Sequence, residues 1–202
     1  MRLLAPLPTA RALRLSRDPD PMLFRGRQPA ASVWRRFRSG ADAFTFAEAE
    51  GHYEARVAAN AERAVDLLYV LTEQLPPAVD VWLEDVRGRR AWRGADVALP
   101  DVREAIARLK VTLAAYGGVE LAVYSADDQL TLTPDLELYV YARTDRWLYI
   151  LQGKGLVETP TPEPETFALT PDQLGDAPEL ADALEAAAVR LGLERAGAGA
   201  RG

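Results

Sequence analysis

The chain has 202 residues, 49% apolar and 27% charged, enough to bury one core with appendages, and a single domain is favoured over two. It has no cysteine and a single histidine, His52, which excludes disulfides, thiol nucleophiles, zinc-thiolate sites and any mechanism that needs two imidazoles. The net charge of −6 divides unevenly: residues 1–40 hold nine arginines against Asp18 and Asp20, a net +7, and the rest of the chain carries −13.

Residues 1–42 read as an N-terminal arm rich in Arg and Pro. Pro6, Pro8, Pro19, Pro21 and Pro29 punctuate it and argue against any long element. The first two also interrupt the apolar start before it could serve as the core of a signal peptide. No apolar run approaches the roughly 18 residues of a membrane span, so no membrane association is expected, and a cytoplasmic protein is. Met22 offers an alternative start. Arg25, Arg27, Arg35, Arg36 and Arg38 interleave with Phe24, Trp34 and Phe37. Such a basic-aromatic cluster suits docking in cis on the acidic body, with a nucleic-acid backbone as the alternative.

Residues 43–155 read as an α+β core. Phe44-Thr-Phe-Ala and Tyr53-Glu-Ala-Arg-Val57 around Gly51 favour a hairpin, with a helix opened by Thr45 and Glu48 as the alternative. Asn60 stands as an N-cap before Ala61, Ala64, Val65, Leu68, Leu71 and Leu75, which repeat at helical spacing until Pro76-Pro77. Val79-Asp-Val-Trp-Leu-Glu-Asp-Val86 alternates as a strand, and a turn at Arg87-Gly-Arg-Arg90 leads to a short partner around Ala91-Trp-Arg93. Pro100 then opens a helix in which Val102, Ile106, Leu109, Leu113 and Tyr116 share one stripe, stopped by Gly117-Gly118.

The densest period-two patterning follows. Val119-Glu-Leu-Ala-Val-Tyr124, Gln129-Leu-Thr-Leu-Thr133 and Leu136-Glu-Leu-Tyr-Val-Tyr141 alternate, and their short connections fit an antiparallel meander. Trp147-Leu-Tyr-Ile-Leu151 is read as its last strand. One face is aliphatic; the other mixes Trp82, Tyr124, Tyr139 and Tyr141 with Asp80, Glu84, Glu120 and Glu137. The fold predicted is a two-layer sandwich, an antiparallel sheet of about five strands with two helices on one face. The order from Asn60 onward, helix, two strands, helix and then antiparallel strands, resembles roadblock and longin-type modules. That resemblance implies dimerisation or binding to GTPases and transport complexes, and no family motif accompanies it.

Residues 156–202 supply a Pro/Glu linker at Thr159-Pro-Thr-Pro-Glu-Pro-Glu165, a last helix with Leu180, Leu184, Ala187 and Leu191 on one stripe, and a Gly/Ala tail expected to be disordered. Asp176-Ala-Pro-Glu179 resembles a capping box at the start of that helix.

Catalytic signals are thin. Gly153-Lys-Gly155 lacks the Ser/Thr and first glycine of a P-loop, and no serine lies in a nucleophile elbow. Asp80 and Glu84 share a face, but four strand residues place them roughly 13 Å apart, too far for one ion, although Glu120 or Glu137 could come closer to one of them. No metal and no cofactor are assigned. Bases could stack on the rings, yet the interleaved carboxylates would repel phosphate. The face is instead expected to be covered by the arm, by the C-terminal helix or by a second copy. The function expected is therefore a non-catalytic protein-interaction module, dimeric, anchored by Trp82, Tyr124, Tyr139, Tyr141 and Trp147. A partner-neutralising chaperone or immunity-type protein is the second reading, and a carboxylate-based metal-dependent enzyme the third.

Overall fold

The computed structural model describes residues 42–49, 51–160 and 174–196. The arm, the linker beyond Pro160 and the end of the tail lie outside the described residues, and so do the arginines named in the arm.

The elements are β1 (Ala43–Ala49), β2 (His52–Ala58), α1 (Ala61–Leu71), β3 (Ala78–Asp85), β4 (Arg90–Ala98), α2 (Leu99–Tyr116), β5 (Val119–Tyr124), β6 (Asp128–Leu132), β7 (Leu138–Ala142), α3 (Arg146–Gly153), β8 (Val157–Glu158), α4 (Pro178–Arg190) and β9 (Glu194–Arg195). The fold is α+β. One sheet runs in the order β8-β1-β2-β7-β6-β5-β3-β4-β9, and it is antiparallel except where β8 joins β1. Nine strands replace the five expected, because the β1–β2 hairpin docks β2 on β7 and two-residue strands close both ends.

The hairpin reading of residues 43–58 holds: Ala49 faces His52 across a turn in which Gly51 takes φ 83, a conformation open to glycine at little steric cost. Both long helices stand where periodicity places them. Gly117 and Gly118, at φ 53 and φ 70, end α2, and the Arg87 guanidinium donates to the carbonyl oxygens of Tyr116, Gly117 and Gly175. That cation satisfies carbonyls left open at the end of α2 and ties α2 to the lead-in of α4. The cap readings fare less well. Asn60 precedes α1 with no side-chain cap bond, and α4 begins after Ala177 without one, so Asp176 does not close a capping box.

The aliphatic face of the sheet is buried. Phe44, Val57, Val81, Leu83, Leu121, Val123, Leu130, Leu132, Leu138 and Val140 are each at most 3% exposed and belong to one core cluster with α1, α2, α3 and α4. Helix α4 joins this layer through Leu180 and Leu184, beside α2, where Arg190 pairs with Glu104. It therefore does not cover the opposite face, one of the coverings expected.

The fourth meander strand is absent, and Trp147–Leu151 lies in helix α3. The reason is topological. Strand β7 is already paired by β6 on one side and β2 on the other, so no edge remains for a strand there. Folded as a helix, the segment turns Trp147 and Leu151, four residues apart, onto the core, both 0% exposed. The Asp128 carboxylate fixes that helix to the sheet. It accepts from Trp147 Nε1 at 2.7 Å and from Arg146 at 2.6 Å, and only 8% of the residue is exposed. Asp128, which falls in the short connection between the first two alternating runs of the meander, is the first residue of β6.

Asp128→Ala would leave the buried indole N–H of Trp147 without its acceptor and the Arg146 guanidinium with the Gln74 carbonyl alone. A loss of about 3 kcal/mol is expected in urea unfolding. Combined with Trp147→Phe, the loss should be clearly less than the sum of the two single changes; strict additivity would show that the bond does not hold α3.

Candidate functional site

Because side chains alternate, the register that buries the aliphatic face also fixes the composition of the opposite one. Among the described residues no helix packs on that face. Its rows follow from the strand pairings. One row reads Arg93, Trp82, Ala122, Thr131, Tyr139, Arg56 and Thr45 across β4, β3, β5, β6, β7, β2 and β1. The next reads Asp80, Tyr124, Gln129, Tyr141, Glu54 and Ala47. In a third, Glu84 lies directly opposite Glu120.

Four of the five anchors named from the sequence, Trp82, Tyr124, Tyr139 and Tyr141, thus share this face, all half-buried. Trp147 does not; it is inside the core on the other side of the sheet. Tyr139 and Tyr141 stack with centroids 6.2 Å apart and planes 10° from parallel, and His52 tilts against Tyr141 at 6.5 Å. Small residues separate the rings: Ala122 and Thr131, between Trp82 and Tyr139, are 4% and 8% exposed.

Charges frame the rings. Arg56 pairs with Glu137 at 2.6 Å, and the Tyr139 hydroxyl donates to the other oxygen of Glu137 at 3.2 Å. Burial, and after it the Glu137 carboxylate, push Tyr139 up to about 12. Burial with Glu54 and Glu120 raises Tyr141, and burial with Asp80 raises Tyr124. All three shifts have one physical source, phenols set among carboxylates on a partly dehydrated surface. His52, Glu54 and Arg56 were not recognised as part of this surface. No local pattern shows that β2 docks on β7, so their membership was out of reach.

Asp80 takes on a second role, accepting the backbone N–H of Asp96 at 3.0 Å. It lies in a cleft of about 740 Å³ between β4, the start of α2 and the end of α4, lined by Arg93, Asp96, Asp101, Tyr124 and Arg190 among others. Among the described residues no group of three His, Asp or Glu side chains is arranged to hold a metal ion. Gly153-Lys154-Gly155 closes α3, with Gly155 at φ 84 and the Lys154 carbonyl accepting from Arg63 at 3.5 Å. No helix among the described residues is long and apolar enough to cross a membrane. Comparison with known proteins gives no match: no family model matches the chain, no curated protein matches its sequence and no solved structure matches its fold.

Titration tests the electrostatics. Phenolate absorbance should show Tyr139 ionising near 12, and Glu137→Gln should bring its midpoint down without reaching the ordinary 10, because burial remains. Since the folded value lies above the unfolded one, the stabilisation is full below pH ~10 and is lost as pH rises from there through ~12. An unchanged midpoint in the variant would show that Glu137 does not act on the phenol.

Proposed function

We propose that the protein is a non-catalytic interaction module whose open sheet face binds a basic, aromatic-containing polypeptide segment. The observation that carries this reading is the combination on one face of Trp82, Tyr124, Tyr139 and Tyr141 with Glu54, Asp80, Glu84, Glu120 and Glu137, against Arg56 and Arg93. Tyrosine and tryptophan supply large contact area at low conformational cost. Carboxylates between them select Arg and Lys, which can stack on the rings while pairing with the acids. The same acids oppose phosphate, so a nucleic-acid strand does not suit the surface.

The charge also bears on the homodimer expected from the sequence. Two such faces stacked on each other would place carboxylate against carboxylate, so a dimer of this chain would exchange basic segments and would not pack sheet on sheet. The reading rests on the face itself and not on the likeness of element order to roadblock and longin-type modules.

A labelled peptide of alternating Arg and Trp should bind the full chain with Kd on the order of 10 µM, read by fluorescence anisotropy, and binding should weaken as salt rises. Tyr139→Ala with Tyr141→Ala should weaken it about tenfold, roughly 1.4 kcal/mol, while the circular dichroism spectrum is kept. Equal binding of a Glu/Trp peptide, or no effect of the double change, would sink the assignment.

A further inference from the structure

The rows of the open face differ in what they have left to offer a partner. The row through Trp82 and Tyr139 carries Arg93 and Arg56, cations that oppose a basic segment. In the row beyond it Glu137 is already engaged, one oxygen by Arg56 and the other by the Tyr139 hydroxyl. The row through Tyr124 and Tyr141 is different. Asp80 stands opposite Tyr124, Tyr124 opposite Gln129, Gln129 opposite Tyr141 and Tyr141 opposite Glu54. Read across β3, β5, β6, β7 and β2 it is acid, tyrosine, glutamine, tyrosine, acid, the same from either end. Asp80 commits one oxygen to the Asp96 N–H and keeps the second, and the Glu54 carboxylate has no ion pair among the described residues. Gln129 Nε2 donates to Thr131 at 2.8 Å, so its amide oxygen is the acceptor offered to a backbone N–H crossing the row.

We propose that the partner segment lies extended across the strands on this row, with two basic residues six positions apart, one at Glu54 and one at Asp80, and flat apolar side chains at the two sheet-facing positions between them. The inference rests on the reading of the face as a surface for a basic, aromatic-containing segment, and it names the residues that read that segment. Spacing is the first argument. Glu54 and Asp80 are four strands apart in the sheet order, about 19 Å at the usual strand spacing, and six residues of extended chain span about 20 Å. From Asp80, Tyr124 and Tyr141 lie about 5 and 14 Å along the row, and the second and fourth residues of the segment, on the same side as the bases, lie about 7 and 13 Å along it. Bases four or eight positions apart miss the second carboxylate by about 6 or 8 Å.

The ends of the row supply the second argument. Asp80 and Tyr124 also line the cleft of about 740 Å³ beside β4, so this end opens into a recess deep enough for a long side chain. Asp96, Asp101 and Glu194 line the same cleft. Against them stand Arg93 and an Arg190 that is paired with Glu104, and the recess keeps a negative sign. At the other end a guanidinium paired with Glu54 stacks on Tyr141, whose ring is flanked by His52 at 6.5 Å and Tyr139 at 6.2 Å.

The test compares two end-blocked, labelled peptides of one composition, Arg-Ser-Trp-Ser-Trp-Ser-Arg and Arg-Ser-Trp-Ser-Arg-Ser-Trp, titrated with the full chain and read by fluorescence anisotropy. The first, with its bases six apart, should bind about fivefold tighter. Glu54→Gln and Asp80→Asn should each weaken it about threefold, the asparagine keeping an acceptor for the Asp96 N–H. Glu48→Gln, the same change of charge on an exposed residue of β1 that alternation turns away from the face, should not. Replacing one terminal arginine of the first peptide by glutamate should weaken it on wild type, and Glu54→Arg should restore it. Equal affinity of the two peptides for wild type, with Tyr139→Ala and Tyr141→Ala still weakening both, would overturn the row and leave the interaction reading standing. A preference for the first peptide that Glu54→Gln leaves intact would also overturn it, since the spacing would then be read elsewhere on the face. Binding of neither peptide would remove the row and the interaction reading together.

Discussion

One-sided burial of a long, mostly antiparallel sheet is the constraint from which the other features follow. Strands β3, β5, β6 and β7 each send alternate aliphatic side chains into the helical layer, and each such side chain contributes on the order of 1.5–3 kcal/mol of burial. A slip of one residue in any of them would turn that set out to solvent and bring glutamate, tyrosine or tryptophan inside. The register is therefore held by many side chains at once. The open face inherits its geometry from this: Trp82, Tyr139 and the glutamates stand in fixed rows because their neighbours in the chain are locked in the core.

The same logic separates what could be read from the sequence from what could not. Alternation identified the two faces and put Trp82, Tyr124, Tyr139 and Tyr141 together, since period two is a local property. Helices α1 and α2 were legible for the same reason, their stripes being complete and their ends marked by Pro76-Pro77 and Gly117-Gly118. Pairing between distant strands has no such signature. Docking of β2 on β7 removed the edge that residues 147–151 would have needed, and turned an apparent strand into a helix. A run such as Trp-Leu-Tyr-Ile-Leu, apolar throughout, fits either period, so the competition for the edge decided its state. Asp128 belongs with this miss: its carboxylate matters only because a tryptophan nineteen residues later reaches it.

Interactions of a sheet can occur at its edges or on its face, and the two are not equally open here. At one end β9 covers Trp92 and Arg93. Further along β4 the pairing with β3 shifts register, Asp96 takes φ 53, and its N–H is claimed by the Asp80 carboxylate. A bulge with its donor already satisfied is a poor template for an added strand. At the other end β8 runs beside Ala43 and Phe44, and the exposed Glu48 lies further along β1. Both edges are thus shortened, bent or charged, which leaves the broad face as the surface with area and chemistry to offer.

Electrostatics then decide what that face can accept. Carboxylates placed between aromatic rings on central strands raise the cost of removing the phenolic protons and of burying the surface against anything neutral or acidic. A second copy of the face and a nucleic-acid strand bring negative charge against these acids, and a purely apolar helix would bury them without adding a donor. A flexible basic segment with occasional aromatics satisfies acids and rings together, because guanidinium groups stack and pair at the same time. The register that buries the aliphatic side chains is thus also what sets carboxylates beside aromatic rings, as at Trp82 between Asp80 and Glu84 on β3, and the chemistry the face offers follows from the core beneath it.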